Sequence, residues 1–174
     1  AGCGGGRNLV YFFRNGYEIF GVDSDPGAIA SVRAVARRLA PALPESNFRA
    51  EPIEQMTFPD AFADVVLASA VLHFARDDAH FDAMVREMWR VLRPGGHLAL
   101  VWNQRDERIP WVKRLGRLIG TQEKLREPAL PLVQSGSFGF VEEKDFQVWQ
   151  DVNRESILDL VRSRSNVAVL DDEA

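Results

Sequence analysis

Gly2-Cys3-Gly4-Gly5-Gly6-Arg7-Asn8, followed by Tyr17-Glu18-Ile19-Phe20-Gly21-Val22-Asp23, decides the fold. Glycine is costly inside helices and strands, so Gly2 to Gly6 has to be a loop. Such a loop lets a ligand reach the backbone and offers amides at a helix start. The apolar segment behind it, with Leu9, Tyr11, Phe12 and Phe13, stops at Asn15-Gly16, a helix C-terminal signature. Tyr17 to Val22 is a compact β-prone run, cut off by Asp23-Ser24-Asp25-Pro26. From Pro26, the residues Ile29, Val32, Val35, Ala36 and Leu39 recur at helical spacing, with Arg33, Arg37 and Arg38 on the other side. Pro41 and Pro44 end that helix.

Working outward, the same alternation continues. Phe48 to Ile53 is a short strand, and Asp64 opens Val65-Val66-Leu67-Ala68, a run expected in a parallel strand buried on both faces. Asp78 to Leu92 is a helix with Phe81, Met84, Val85, Met88, Trp89 and Leu92 on one stripe. Pro94-Gly95-Gly96 is a tight turn, and His97 to Trp102 is the next strand. Strands alternating with helices of this length make βαβ units, hence an α/β fold with a doubly wound, mostly parallel sheet and flanking helices. Further on, Trp111 to Ile119 is helical, Thr121 to Ser137 is a polar connection, Phe146 to Val152 alternates like a strand, and Arg154 to Arg164 like a helix.

The 174 residues, 46% hydrophobic and 26% charged, fit one globular domain spanning 1–174 and exclude a disordered chain or a disulfide scaffold. A single cysteine, Cys3, can form no internal disulfide, which points to a reducing compartment, the cytoplasm. No apolar run approaches the ~20 residues of a membrane span. The formal charge of -4 speaks against a nucleic-acid partner. Oligomeric state is left open.

In open α/β sheets, ligands bind outside the carboxyl ends of the strands. The unusual residues stand at those ends: Gly2 to Gly6, Asp23, the Glu51 to Glu54 region, and Ser69 to His73. Asp23 comes about twenty residues after the first glycine, where a carboxylate can accept both hydroxyls of a ribose. Asp25, immediately before Pro26, is the better helix cap and leaves Asp23 free for that work. The glycines follow G-x-G-x-G rather than G-x-G-x-x-G, because Arg7 takes the third position of the dinucleotide pattern.

These residues carry a resemblance. Gly2-Cys3-Gly4-Gly5-Gly6-Arg7-Asn8 with Gly21-Val22-Asp23 resembles motif I and the second-strand motif of class I S-adenosylmethionine-dependent methyltransferases. Phe58-Pro59-Asp60 to Ala63-Asp64-Val65-Val66 resembles the family's entry into its fourth strand, and Arg90-Val91-Leu92-Arg93-Pro94-Gly95-Gly96 its turn into the fifth. Residues 1–103 are covered, in the family's order. The likeness is to the type 11/25, small-molecule branch. Trp102-Asn103 and Pro110-Trp111 are similar to the branch that includes trans-aconitate methyltransferase.

The resemblance implies a Rossmann-like fold, S-adenosyl-L-methionine as cofactor and a small-molecule substrate, with 1–103 binding the cofactor and 104–174 on the substrate side. Gly2, Cys3, Gly4 and Gly6 would cradle the methionyl part, Asp23 the ribose and Ser24 the adenine edge. Ile53 and Glu54 would flank the adenine, and Ser69 and Ala70 the sulfonium and amino-acid end. His73 is the candidate catalytic base, and Trp102 and Asn103 candidate pocket residues. No metal is implied, since Cys3, His80 and His97 have no zinc spacing. The family's acidic residue beside the adenine falls on Pro52, and the phenylalanine of its fourth-strand motif on Ala63. Two rivals stand beside this: a non-catalytic cofactor-binding or scaffold domain of the same fold, and an NAD-dependent oxidoreductase.

One further expectation concerns completeness. The family's first strand would precede Ala1, at the centre of the sheet between Tyr17–Val22 and Asp64–Ala68, and its last would follow Arg154–Arg164, beyond what Asp171-Asp172-Glu173-Ala174 can supply. Both are expected to be missing, the chain being a truncated piece of a longer protein, with a gap in the sheet.

Overall fold

The computed structural model describes residues 1–102, 106–118, 136, 138–147, 151 and 153–162. The chain divides into two compact units, Ala1–Asn103 and Gln104–Ala174.

In the first unit, the glycine loop leads through a 3-10 turn (Arg7–Leu9) into the short helix α1 (Val10–Arg14). β1 (Gly21–Asp23) and α2 (Pro26–Leu39) follow, then β2 (Phe48–Ala50). Asp25 caps α2, accepting from Gly27 N at 2.8 Å and Ala28 N at 3.2 Å, while Pro26 at the first position forfeits no bond. β1 and β2 are parallel, with Gly21, Val22 and Asp23 opposite Phe48, Arg49 and Ala50. Around them Phe13, Ile19, Ile29, Val32, Ala36 and Phe48 form a buried core.

β3 (Ala63–Ser69), α3 (Asp78–Val91) and β4 (Leu92–Val101) make the second βαβ unit. β3 and β4 are parallel, and α3 packs on them with Met84, Val85, Met88 and Val91 buried. Asp77 caps α3.

The α/β class with parallel strands stands, with five corrections. The strand expected over Tyr17–Val22 is only Gly21–Asp23. On the β2 side Glu45–Asn47 is a 3-10 turn that offers no ladder, and the Asn47 side chain donates to Ile19 O at 3.0 Å in its place. Phe48–Ile53 ends as a strand at Ala50, because Pro52 lacks an amide hydrogen and Ile53–Gln55 coils into a 3-10 turn. β4 runs through the Pro94-Gly95-Gly96 turn, which survives as a register shift in the ladder with Gly95 at φ 77°. The expected two-sided burial of β3 fails: Val66 is buried whereas Val65 is 56% exposed, since α3 covers one face only. Trp89, placed on the apolar stripe of α3, is also half exposed.

The strands form two separate two-stranded sheets, β1-β2 and β3-β4, so no ladder joins β1 to β3 among the described residues. Ala1 to Cys3 threads between them. Ala1 N donates to Leu67 O of β3 at 2.8 Å, and Cys3 N to Val22 O of β1 at 2.9 Å.

In the second unit, α4 (Pro110–Leu118) and α5 (Arg154–Arg162) bear out the expected helices as far as Leu118 and Arg162, and Ile119, Ser163 and Arg164 lie outside the described residues. Phe146 and Gln147 are not in a strand, and the rest of that expectation, apart from Asp151, lies outside the described residues. So do Asn103, all of Thr121–Ser137 except Gly136, and the C-terminal Asp171–Ala174. Among the described residues, no helix is long and apolar enough to cross a membrane.

Candidate functional site

The glycine loop is shaped by three left-handed residues in alternation: Gly2 at φ 60°, Gly4 at 51° and Gly6 at 82°. A Cβ on Gly6 would lie 2.7 Å from Val32 Cγ2, and one on Gly2 would lie 2.4 Å from Val71 Cγ2 and 3.4 Å from Ile53 Cδ1. Those two glycines let the loop press against α2, against the turn after β2 and against the segment after β3. Gly4 is different, because a Cβ there would meet nothing within 4 Å. Its α-carbon borders open space.

Asp23, at the carboxyl end of β1, closes the loop. Its Oδ2 accepts from Gly4 N at 2.8 Å and its Oδ1 from Asp25 N at 3.0 Å. An ionised carboxylate has roughly four acceptor sites, so both oxygens retain capacity for a ligand's hydroxyls. The expectation that Asp25 does the capping is met, but Asp23 is also the residue that holds the loop to the strand. Ser24 beside it is exposed. Cys3 lies between, and burial pushes its thiol up to about 11, so it is neutral near pH 7.

On the other side, Asn8 Nδ2 donates to Ser69 Oγ at 2.9 Å, joining the helix start to the end of β3. Ala70 then turns at φ 51°, held by its amide to Val101 O at 2.7 Å. A non-glycine residue in that region costs on the order of 1 kcal/mol and marks where the chain leaves the sheet. Asn8 did not figure among the sequence candidates, though a polar side chain directly after the glycine loop was its visible signal.

Ile53 is buried against Gly2. Glu54 next to it turns away from the loop toward α3: its Oε1 lies 2.9 Å from His80 Nε2 and 4.0 Å from Arg76 Nη2. Burial works against its charge, but its own amide, His80 and Arg76 outweigh this and hold the carboxyl below its ordinary value. His73 is exposed in the 3-10 turn Leu72–Phe74, its ring centroid 4.1 Å from that of Phe74. Trp102 is half-buried just past β4, whereas Asn103 is outside the described residues. Among the described residues, no three His, Cys, Asp or Glu side chains gather as metal ligands.

The structure thus brings Gly2, Gly4, Gly6, Asp23 and Ile53 together directly, and Ser69 through Asn8. Three strand ends meet the glycine loop with open room beside Gly4. Such an arrangement can bind a ligand carrying vicinal hydroxyls and a polar tail.

Comparison with known proteins agrees. A family model described as a methyltransferase domain matches residues 1–100. An uncharacterized methyltransferase of Mycobacterium tuberculosis is 32% identical over 164 residues, covering 94% of this chain but 62% of the relative, so this chain spans less than two thirds of that protein. A methyltransferase-like protein of Schizosaccharomyces pombe, also uncharacterized, is 32% identical over 62% of this chain and 38% of its own length. Among solved structures, a SAM-dependent methyltransferase of Methanosarcina mazei superposes with TM-score 0.53 at 26% identity, over 65% of this chain and 55% of that one. YcgJ of Bacillus subtilis, at 20% identity, gives TM-score 0.59 over 96% of this chain and 71% of its own, a likeness of fold. Since that family model matches more than half of the chain, the chain belongs to the methyltransferase-domain family.

Proposed function

We propose that this chain forms the S-adenosyl-L-methionine site of a methyltransferase that acts on a small-molecule acceptor. The observation that carries the proposal is Asp23 at the end of a parallel strand, bracketing Gly4 at 2.8 Å beside open space. Asp23 would accept the ribose hydroxyls. Gly2, Cys3, Gly4 and Gly6 would leave room for the methionyl part, with Ser69 and Ala70 at its amino-acid end. Ile53 would offer an apolar wall to the adenine, with Ser24 along its edge.

When bound, the cofactor supplies a methyl group already activated by a sulfonium. The protein's work is then alignment, which can contribute roughly 7–11 kcal/mol in well-oriented systems, and removal of a proton where the acceptor has one. His73, exposed just beyond β3, is assigned the proton-accepting role, since imidazole titrates near neutrality. Trp102 and Asn103 are assigned to the acceptor side, with residues 104–174. The acidic composition favours a small molecule over a nucleic acid as acceptor. The lone cysteine supports a cytoplasmic setting.

Calorimetric titration tests the reading. S-adenosylhomocysteine should bind and raise the melting temperature, and NADH should do neither. Asp23→Ala should weaken S-adenosylhomocysteine about 10- to 100-fold, from lost charge-assisted hydrogen bonds worth ~1.5–3 kcal/mol. An unchanged affinity would sink the assignment of Asp23.

A further inference from the structure

The turn Ile53–Gln55 is anchored by the buried Ile53 side chain but has few polar ties of its own. Pro52 before it has no amide hydrogen, no side chain caps it, and it leaves the β1–β2 ladder after Ala50. Its own hydrogen bond is Gln55 N to Pro52 O at 3.1 Å. The Glu51 amide donates to Asp23 O at 3.0 Å, but its side chain is committed to Thr57, accepting from Thr57 N at 2.9 Å and Thr57 Oγ1 at 2.6 Å.

What grips this segment is α3, at two points. Near the helix C-terminus, Arg90 donates to Met56 O, Phe58 O and Asp60, with Glu87 steadying the guanidinium. That grip lies beyond the turn. At the helix N-terminus, His80 meets Glu54 itself, 2.9 Å between Nε2 and Oε1. The imidazole is fixed from behind, because Nδ1 accepts the Arg76 amide at 3.1 Å. In the neutral ring this leaves the proton on Nε2. The His80 main-chain amide is in turn held by Asp77 Oδ1 at 2.7 Å. Both side chains are largely removed from water, His80 at 12% exposure and Glu54 at 20%, which strengthens a polar contact. The ring N–H points off the line to Oε1 and Nε2 has no aligned acceptor, so the pair is a close polar contact rather than a formed hydrogen bond.

We propose that His80, acting through Glu54, is a positioning residue that fixes the Ile53–Gln55 turn against Gly2 and so sets the affinity of the adenosine end of the cofactor site. This rests on the methyltransferase reading above. It also reassigns Glu54: its Oε1 is turned to His80 and Arg76, and the adenine side is formed by Ile53 and the backbone of the turn.

The test is calorimetric titration of the full chain with S-adenosylhomocysteine, alongside melting temperatures. His80→Ala should weaken binding about tenfold. His80→Phe keeps the ring packing but has no N–H, so it should bind as weakly as the alanine variant. His80→Gln, whose amide N–H can reach Glu54, should recover affinity to within about threefold. Glu54→Gln combined with His80→Ala should bind no more weakly than His80→Ala alone. A lowered melting temperature with unchanged affinity in His80→Ala or His80→Phe would reduce the pair to scaffolding and overturn the proposal. So would failure of His80→Gln to recover what His80→Phe loses. Absence of binding by the unsubstituted chain defeats the methyltransferase reading and this proposal with it, whereas binding that ignores His80 defeats this proposal alone.

Discussion

The two strand pairs of the first unit are built to different standards. β1 and β2 carry α1 and α2 against them, and Phe48, Ile29, Val32 and Val22 are all essentially removed from water. Phe13 and Phe48 meet at 6.0 Å between ring centroids inside that cluster. β3 and β4 have α3 on one side, and on the other Val65 and Val101 face outward. Yet the features proposed to face the cofactor, the Gly2–Gly6 loop and Asp23, sit beside the better-packed pair. A loop held by three left-handed glycines keeps its shape only if the core beneath it does not move. The β3–β4 pair meets the loop region through Leu67 O, Ser69 and the Val71 that follows it, and keeps Val65 and Val101 exposed.

The largest test of that contrast is Phe48→Ala. A fully buried aromatic ring truncated in a close-packed core typically costs ~3–5 kcal/mol, and here the ring also abuts Gly21, whose Cβ would lie 3.0 Å from Phe48 Cδ1. Chemical denaturation should show a loss in that range. A loss below about 1 kcal/mol, the ordinary cost of a point substitution, would mean that the β1–β2 core is loose.

Gly6→Ala should come next, at about 2–4 kcal/mol, combining a left-handed alanine with overpacking against Val32. Gly16 supplies the control, since it has φ 72° but nothing within 4 Å of its would-be Cβ. Gly16→Ala should lose only the ~1–2 kcal/mol of the conformation itself. Equal losses at the two glycines would show that the close approach of the loop to α2 contributes nothing.

Local signals in the sequence were legible where the physics is local. Asp25-Pro26 announces a helix start, Asn15-Gly16 a helix end, and α2 follows its 3.6-residue period to Leu39. The glycines marked Gly2–Gly6 as a loop, and the structure puts Gly2, Gly4 and Gly6 at left-handed φ, which only glycine takes without strain. Features set by distant neighbours were not legible. How far β1 extends depends on whether a ladder partner exists across from Tyr17–Phe20, and Glu45–Asn47 is not one. The direction of Glu54 depends on His80, twenty-six residues later, and no periodicity links the two. The left-handed Ala70 has no sequence mark at all, since alanine prefers other conformations.

The smallest expected effect sharpens the comparison most. Val65 and Val66 are adjacent, chemically identical and on opposite faces of β3, because side chains alternate along a strand. Val66 is 6% exposed and Val65 is 56% exposed. Threonine keeps the β-branched shape and exchanges a methyl for a hydroxyl, so its cost reports whether the site is dry. Val66→Thr places a hydroxyl under α3 and should cost ~1–3 kcal/mol. Val65→Thr leaves that hydroxyl in water and should stay within about 0.5 kcal/mol of the unsubstituted chain. Urea denaturation of the two variants side by side reads the difference directly. If Val65→Thr costs as much as Val66→Thr, the outward face of β3 is covered in solution, and the contrast between the two strand pairs disappears. If both are cheap, α3 does not seal even the face it covers, and the second pair is looser still.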